Sequence, residues 1–596
     1  MAIGIGVSVA KCPTYARMTE FNQFYARVIA AGGTIADAAY LKSAVLDYRA
    51  IAYLSPSLYT FASGRKAGTL YSLVPTDGSG DFSVTRSGDT AMELNKNGYW
   101  QPAAANVPRF DYVSGVPMLN IEAAATNLIA RARSFAHSDW TKSGASIQGD
   151  PSTAGAELHT SALSNGNMTS FTAVGLNGFD ATSNGAATHR CGSADEIVLV
   201  ENGLYKIEFD QTLNSGTQPS VGLADSVGGT ARSATQAAVA GHNLFYLLAT
   251  ASTTGVVQFV NSSTATDYAI RNFTIKKVTG YACPFVTSAG VNTYEGYKLV
   301  EGTNNGAHYA KVSSSISIAT GQKVISVFAK YDGTRRWILL SDDSVGFVGN
   351  FDLLNGVVGA GNATRTITSY RDGWYKCEIM YSSSVAAIPA IYLASANNTT
   401  SYLGDGTSGI YICHAQLEAG AVATSPVYGA ETATQTRNRD NIIKTNIGTL
   451  IGQTQGTIFM DIYAINKVNG GVWIILSKDT GNTTFIQLYT SSAGAWRTVF
   501  NSDDGSQTST IHSSSIIATG RNKVAVAYKN GEAPVIYVNG LLVAEITGAL
   551  NYTYTLNNIY VGQYINGTQS ITDHVNVVNI NKTRLSNAQL AALTTL

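Results

Sequence analysis

Six aromatic residues in the second half of this 596-residue chain, Trp337, Trp374, Tyr402, Trp473, Trp496 and Tyr564, form its candidate glycan-binding set. An aromatic plane can cover the apolar face of a sugar ring, while Asn, Asp, Gln or Arg side chains nearby hydrogen-bond the hydroxyls. The same rings more often stabilise a core or an interface, and that is the competing role for each of them.

Acid–base chemistry has weaker support. A glycosidase holds two carboxyl groups roughly 5 to 9 Å apart across the scissile bond. Asp342 with Asp343 and Asp503 with Asp504 are adjacent carboxylates beside turn-forming residues. Side chains that follow one another on a strand diverge, so solvated turns explain these pairs better than catalysis or calcium does. Glu208 and Glu378 fall on polar faces of strand-like segments, Asp372 and Asp405 precede glycines in turns, and nothing pairs Glu201 with another acid. The eight histidines, His137, His159, His189, His242, His308, His414, His512 and His574, make no compact metal motif. Cys12, Cys191, Cys283, Cys377 and Cys413 are far apart and form no CxxC pair, which favours buried thiols. The glycines near Gly4 lack the spacing of a nucleotide-binding loop. No catalytic residue, metal site or cofactor is assigned, and the expectation is a protein that is not an enzyme.

Composition points the same way. The 39 basic residues balance 39 acidic ones, and only 13% of the chain is charged, so no global electrostatic footprint for nucleic acid exists. The apolar fraction of 45% can support several cores. No apolar run reaches membrane-spanning length, and MAIGIGVSVA lacks the basic region that opens a signal peptide, so the expected origin is a cytoplasm.

The elements that must position the aromatics are strands. ENGLYKIEFD places Tyr205, Ile207 and Phe209 on one face, and DYAIRNFTIKK would place Ala269, Arg271, Phe273 and Ile275 together. GQKVISVFAK, RDGWYKCEIM and GIYICHAQL continue the pattern, followed by TIFMDIYAI, GVWIILSK, TTFIQLYT, NKVAVAYK and IYVNGLLVAEI, where Asn539 and Gly540 mark a hairpin turn. ENGLYKIEFD pairs by similarity with RDGWYKCEIM or GQKVISVFAK, and DYAIRNFTIKK with GIYICHAQLEA, which suggests an internal duplication. Helical spacing occurs at Phe21, Phe24, Tyr25, Val28 and Ile29, after Thr34, and in the closing LSNAQLAALTTL behind Ser586. The proline-rich stretch from Tyr99 to Trp140 reads as a clasp packed by Phe110, Tyr112, Met118, Leu119 and Ile121.

The expected fold is mainly β, with multiple antiparallel β-sandwich or jelly-roll modules behind a short α-helical N-terminal attachment region. The expected boundaries are a helical attachment region at 1–56, a small β insert and connector at 57–126, a first β-sandwich at 127–283, a second, carbohydrate-binding-like sandwich at 284–427, a linker at 428–450, and a laminin-G-like jelly roll at 451–596.

Several of these segments carry a family resemblance. TEFNQFYARVIAAGG, ANVPRFDY and ATNLIARARSFAHSDWTKSGA resemble the start, connector and module opening of modular bacteriophage tail, fibre or appendage proteins. VISVFAK, FDLLNGVVG, DGWYKCEI and YLGDGTSGIYICHAQLEAG resemble their carbohydrate-binding-like modules. WRTVF, NKVAVAYKNGE, IYVNG and IYVGQY resemble a laminin-G-like or concanavalin-A-like jelly roll. The resemblance implies a noncatalytic virion component on a tail or other external appendage, homo-oligomeric, with other virion subunits and host-surface glycans as partners. A tail, neck or head structural role is the alternative, and a capsule depolymerase a third. In such relatives the opening signature directly precedes the carbohydrate-binding-like stretch, whereas here roughly one further module intervenes.

Overall fold

The computed structural model describes residues 14–35, 54–88, 90–149, 157–186, 188–193, 197–200, 203–261, 264–278, 281–288, 290, 293, 295–431, 433–465, 470–480, 484–501, 509–545, 549–550 and 555–596. The chain is mostly β, in antiparallel sandwiches with a short N-terminal helix. The sandwiches are nested one inside another along the sequence.

The inner sandwich occupies residues 163–278. One sheet runs, in spatial order, Leu163–Asn165, His189–Ser193, Thr253–Asn261, Ser220–Ala224 and Gln236–Ala237. Its companion runs Ser170–Ala173, Phe179–Asn184, Ala265–Val278, Leu204–Ser215 and Gly241–Leu248. Tyr205, Ile207 and Phe209 enter the core by simple alternation. DYAIRNFTIKK does not alternate as expected. Asn272 takes the left-handed conformation (φ 54°) at a bulge, so Tyr268 and Ile270 before it share the core with Phe273 and Ile275 after it. Arg271 is left outside, paired with Asp180 at 2.7 Å.

The middle sandwich is built from two stretches separated in sequence by the inner one. Trp140–Ser143 pairs with Tyr309–Val312, and Ala145–Gln148 with Tyr297–Glu301. The module opening is thus the first two strands of the sandwich that ends at Gly409–Ala419, which accounts for the displaced signature. In its second sheet Gly321–Tyr331 lies between Gly409–Ala419 and Trp374–Ser383. This matches the inner sandwich, where Leu204–Ser215 lies between Ala265–Val278 and Gly241–Leu248. By position, ENGLYKIEFD corresponds to GQKVISVFAK. The pairing of Gly321–Tyr331 with Gly409–Ala419 also shifts register at a left-handed residue, His414 (φ 39°).

The outer sandwich joins the two ends of the chain. Leu58–Lys66 and Val116–Ile121 both pair with Asp573–Asn581, and Phe82–Thr85 pairs with Asn441–Lys444. The strands between residues 58 and 85 and between 109 and 121 are therefore part of the jelly roll, whose sheets take edges from both chain ends, while Met92–Leu94 and Trp100–Pro102 form a small two-stranded sheet of their own. Phe110, Leu119 and Ile121 of the clasp lie in that core with Trp473, Trp496 and Phe500. Asn539 (φ 51°) and Gly540 (φ 86°) make the expected hairpin turn. Ser586 and Gln589 form a reciprocal capping box on the helix Asn587–Thr594. Leu590 and Leu593 of that helix pack beside Leu585 in a further core cluster.

The N-terminal helix spans Thr14–Ala30, and Phe24 and Val28 bury themselves on the outer sandwich of the same chain. The expected packing against a second helix falls mostly outside the described residues, and Thr34–Ile35 is a strand paired to Gly64 and Arg65. No helix among the described residues is long and apolar enough to cross a membrane.

Where the outer and middle sandwiches meet, charge is buried. Asp440 accepts from Arg86 Nη1 at 2.8 Å and Arg109 Nη2 at 2.5 Å. Glu122 lies 2.7 Å from Arg109 and 3.3 Å from Arg437, and accepts from Ser425 Oγ at 2.6 Å. All these ionic side chains are essentially inaccessible. Burial opposes ionisation of both acids, yet Arg437 and Arg109 around Glu122, and Arg109 and Arg86 around Asp440, hold their carboxyls below the ordinary range. The stretch expected to be a polar linker at 428–450 supplies Arg437 and Asp440 to this hub.

Candidate functional site

Four of the six candidate aromatics are committed to the fold. Trp473 occupies a bulge between Val472 and Ile474 that turns it inward, where its ring lies 6.1 Å from Trp496 in the outer core. Trp374 is buried with Trp100, Phe285 and Phe328 where the middle sandwich meets the segments flanking it. These three tryptophans are at most 1% exposed, which corrects their assignment to a sugar-facing surface. Tyr402 is half-buried, but its hydroxyl donates to Glu301 at 2.8 Å and the Arg335 guanidinium lies 4.8 Å over its ring. Glu301 also accepts both forks of Arg335 and the Asp405 amide, so the group closes loops at one end of the middle sandwich.

The acids separate as strand geometry requires. Asp342 is fully buried, accepting from Tyr381 Oη at 2.7 Å and the Ile388 amide at 2.8 Å. Asp343 accepts from Tyr392 Oη at 2.8 Å and Lys311 Nζ at 3.2 Å. Glu208 pairs with Lys206 and Glu378 with Lys376, each at 2.7 Å, while Asp372 accepts from Tyr99 Oη at 2.9 Å. Asp405 takes the Thr407 and Ser408 amides in a turn. Asp503, Asp504 and Glu201 lie outside the described residues. Among the described residues, no group of three His, Cys, Asp or Glu side chains could hold a metal ion.

Trp337 and Tyr564 reach the surface on different sandwiches. Trp337 lies on the outward face of the middle sandwich, where Gly359 makes room for it. A Cβ there would sit 2.6 Å from the indole and 2.5 Å from Asn397 Oδ1. Along the same face the rings of Tyr309 and Tyr392 are 4.9 Å apart. Their neighbours are already satisfied, Tyr392 and Lys311 by Asp343, and Asn350 by Asn398 and the Ala360 carbonyl.

The second face lies on the outer sandwich. In Phe485–Thr490 and Ala495–Asn501, alternation sends Ile486, Leu488, Trp496 and Phe500 into the core. Phe485, Gln487, Tyr489, Arg497 and Val499 turn outward. Tyr489 stands directly opposite Arg497, and Gln487 opposite Val499 and Ile475. Ile475 in turn pairs with Tyr560, and Tyr560 with Ile443. Val472, Ile475, Phe485, Tyr560 and Ile565 make an apolar floor, with half-buried Tyr489, Val499, Ile443 and Tyr564 over it. Tyr564 projects from a turn closed by the Gly567 amide on its carbonyl at 2.8 Å, and its ring meets Phe485 edge-on at 6.0 Å. Five neighbouring strands at about 4.8 Å spacing make this face roughly 19 Å wide.

The two faces differ in how their polar groups are used. Among the described residues, the Arg497 guanidinium, the Gln487 amide and the Tyr489 and Tyr564 hydroxyls meet no hydrogen-bond or ion-pair partner. Gln487 is buried, at 5% exposure, whereas Tyr489, Arg497 and Tyr564 are half-buried, so an external partner can reach these three. Alternation in TTFIQLYT and AWRTVF could have identified Gln487, Tyr489 and Arg497. Their meeting with Tyr564 depends on pairing across strands.

No family model matches the sequence, and no curated protein sequence matches it. Several solved structures are similar to part of the chain. The CBM40 module of the Ruminococcus gnavus IT-sialidase is 18% identical over 25% of this chain and 91% of that one, with a TM-score of 0.22. The leech intramolecular trans-sialidase is 17% identical over 24% of each chain, with a TM-score of 0.22. A heptameric SAP-like pentraxin from Limulus polyphemus is 16% identical over 23% of this chain and 68% of that one, with a TM-score of 0.19.

Proposed function

We propose that this chain is a noncatalytic attachment component of a bacteriophage virion appendage, and that its outer sandwich binds a host-surface glycan across the face of Tyr489, Tyr564, Gln487 and Arg497. One observation carries the binding reading: uncommitted polar groups surround an apolar aromatic floor. Rings of this kind cover sugar faces, and the half-buried tyrosine hydroxyls and guanidinium take sugar hydroxyls. The virion setting, the homo-oligomeric state and the neighbouring virion subunits rest on the resemblance of ANVPRFDY, ATNLIARARSFAHSDWTKSGA and the module segments to phage appendage proteins. In such an assembly, repeated copies turn weak single-site contacts into durable attachment.

The half-exposed Tyr25 and Ile29 of the N-terminal helix support a structural role beside this one, as an assembly surface. The test uses the assembled protein on intact host bacteria, before and after selective removal of surface polysaccharide, with released sugars assayed. Saturable binding that disappears with the polysaccharide, without sugar release, is the expected result. Tyr489→Ala combined with Tyr564→Ala should weaken binding about 10- to 30-fold, taking about 1 kcal/mol for each ring. Absence of binding in both preparations would leave only the structural role, and release of fragments would make the protein an enzyme.

A further inference from the structure

Among the described residues, most arginines are committed to carboxylates, even at the surface. Arg336 pairs with Asp352, Arg521 with Asp461 at 2.6 Å, and Arg271 with Asp180 at 2.7 Å. Among the described residues Arg190, Arg365, Arg439 and Arg497 have no carboxylate partner, and of these Arg497 is the one that stands opposite Tyr489. Its Nε is buried without an acceptor, its terminal nitrogens are not among the buried unpartnered atoms, and among the described residues no carboxylate lies within ion-pair distance. It is half-buried and projects from the middle of Ala495–Asn501, where the strand fixes its backbone opposite Tyr489. A guanidinium cannot shed its charge, and its planar fork of donors matches a carboxylate in two parallel hydrogen bonds. Among the described residues, the strand therefore presents a cation without a carboxylate partner beside an aromatic ring.

We propose that Arg497 fixes the carboxylate of an acidic sugar residue, with Tyr489 and Tyr564 carrying the sugar ring, so that the outer sandwich selects a carboxylated polysaccharide over a neutral one. This rests on the glycan-binding reading of the same face and adds the class of glycan. The ring contacts hold either kind of sugar, and the charge contact distinguishes them.

The test is calorimetric titration of the full chain with oligosaccharides containing glucuronate or galacturonate, and with the same oligosaccharides after carboxyl reduction. Inorganic phosphate serves as a competitor. The wild-type protein should bind the acidic forms 10- to 100-fold more tightly than the reduced forms, the range expected for a hydrogen-bonded charge. Arg497→Gln should abolish the preference by weakening the acidic forms far more than the reduced ones, and Arg497→Lys should keep part of the preference. Near-UV circular dichroism confirms that each variant is folded. Equal wild-type affinity for acidic and reduced forms, or an Arg497→Gln protein that keeps the preference, overturns the assignment. Displacement by millimolar phosphate as effective as by free uronate would also overturn it, since the site would then take any anion. If the wild type binds host cells but shows no acid preference, this inference alone falls. If it binds neither cells nor either oligosaccharide form, the glycan-binding reading falls with it.

Discussion

Replacing Asp440 with asparagine keeps the shape of the buried hub and removes one of its charges. Asp440 receives Arg86 at 2.8 Å, Arg109 at 2.5 Å and the Glu122 amide at 3.2 Å, all out of contact with water. An amide in that place can accept through one oxygen only, and its NH2 group must face a guanidinium donor. Three buried arginines, Arg86, Arg109 and Arg437, then share the single charge of Glu122. Breaking a buried ion pair from one side costs about 3 to 5 kcal/mol, because the remaining charge stays desolvated. At about 2 to 4 °C per kcal/mol for a domain of this size, Asp440→Asn should lower the melting transition of the outer sandwich by roughly 6 to 20 °C. Differential scanning calorimetry would show this as one transition moving while that of the inner sandwich, which has no part in the hub, stays in place. Acid sensitivity supplies a second readout. Glu122 and Asp440 have folded-state pKa values depressed by their arginines, so their stabilisation is complete above the unfolded values near pH 4 and is lost as pH falls through the folded ones. The variant should therefore lose stability less steeply below about pH 4 than the wild type. A transition shifted by less than about 1 °C, or an unchanged acid slope, would refute the view that these charges hold the sandwiches together.

Two further outcomes concern the inner sandwich. A Cβ at Gly192 would lie 2.2 Å from the Val257 carbonyl oxygen, so Gly192→Ala should destabilise that sandwich by about 1 to 3 kcal/mol; proteolysis confined to residues 157–278, with the remainder intact, checks it. Burial pushes the Cys191 thiol up to about 12, so its alkylation at pH 8 should be roughly 1,000-fold slower than that of an exposed cysteine, and peptide mapping after iodoacetamide would show this.

Local pattern carried much of the fold into view. The alternation of Tyr205, Ile207 and Phe209, the Asn539–Gly540 turn and the Ser586 cap each depend on a few neighbouring residues, and each appears in the structure. What local pattern could not carry was partnership. Leu58 pairs with Ile580, and Trp140 with Val312, and no periodicity encodes such distances. Arg437 and Asp440 looked like a solvated connector because charge is usually exposed; it took Arg86, Arg109 and Glu122 from other segments to make their burial tolerable. The tryptophans misled for a related reason. A bulge decides whether Trp473 faces a sugar or the core, and its register is set by the partner strand.

The nesting also sets an order of events during synthesis. Strand Val116–Ile121 leaves the ribosome about 320 residues before Asn441–Lys444 exists. At about 5 to 20 residues per second, roughly 15 to 60 s pass before the outer sheets can begin to close. During that interval the hairpin from Arg109 to Ile121 holds an apolar face and open strand edges with no partner, the condition that favours pairing between chains. The inner sandwich has all its strands by Val278 and can fold within the interval, while the middle one awaits Gly409–Ala419. Slowing translation before Asn441 should therefore lower soluble yield through the N-terminal strands alone, and supplying residues 441–596 as a separate chain should rescue them.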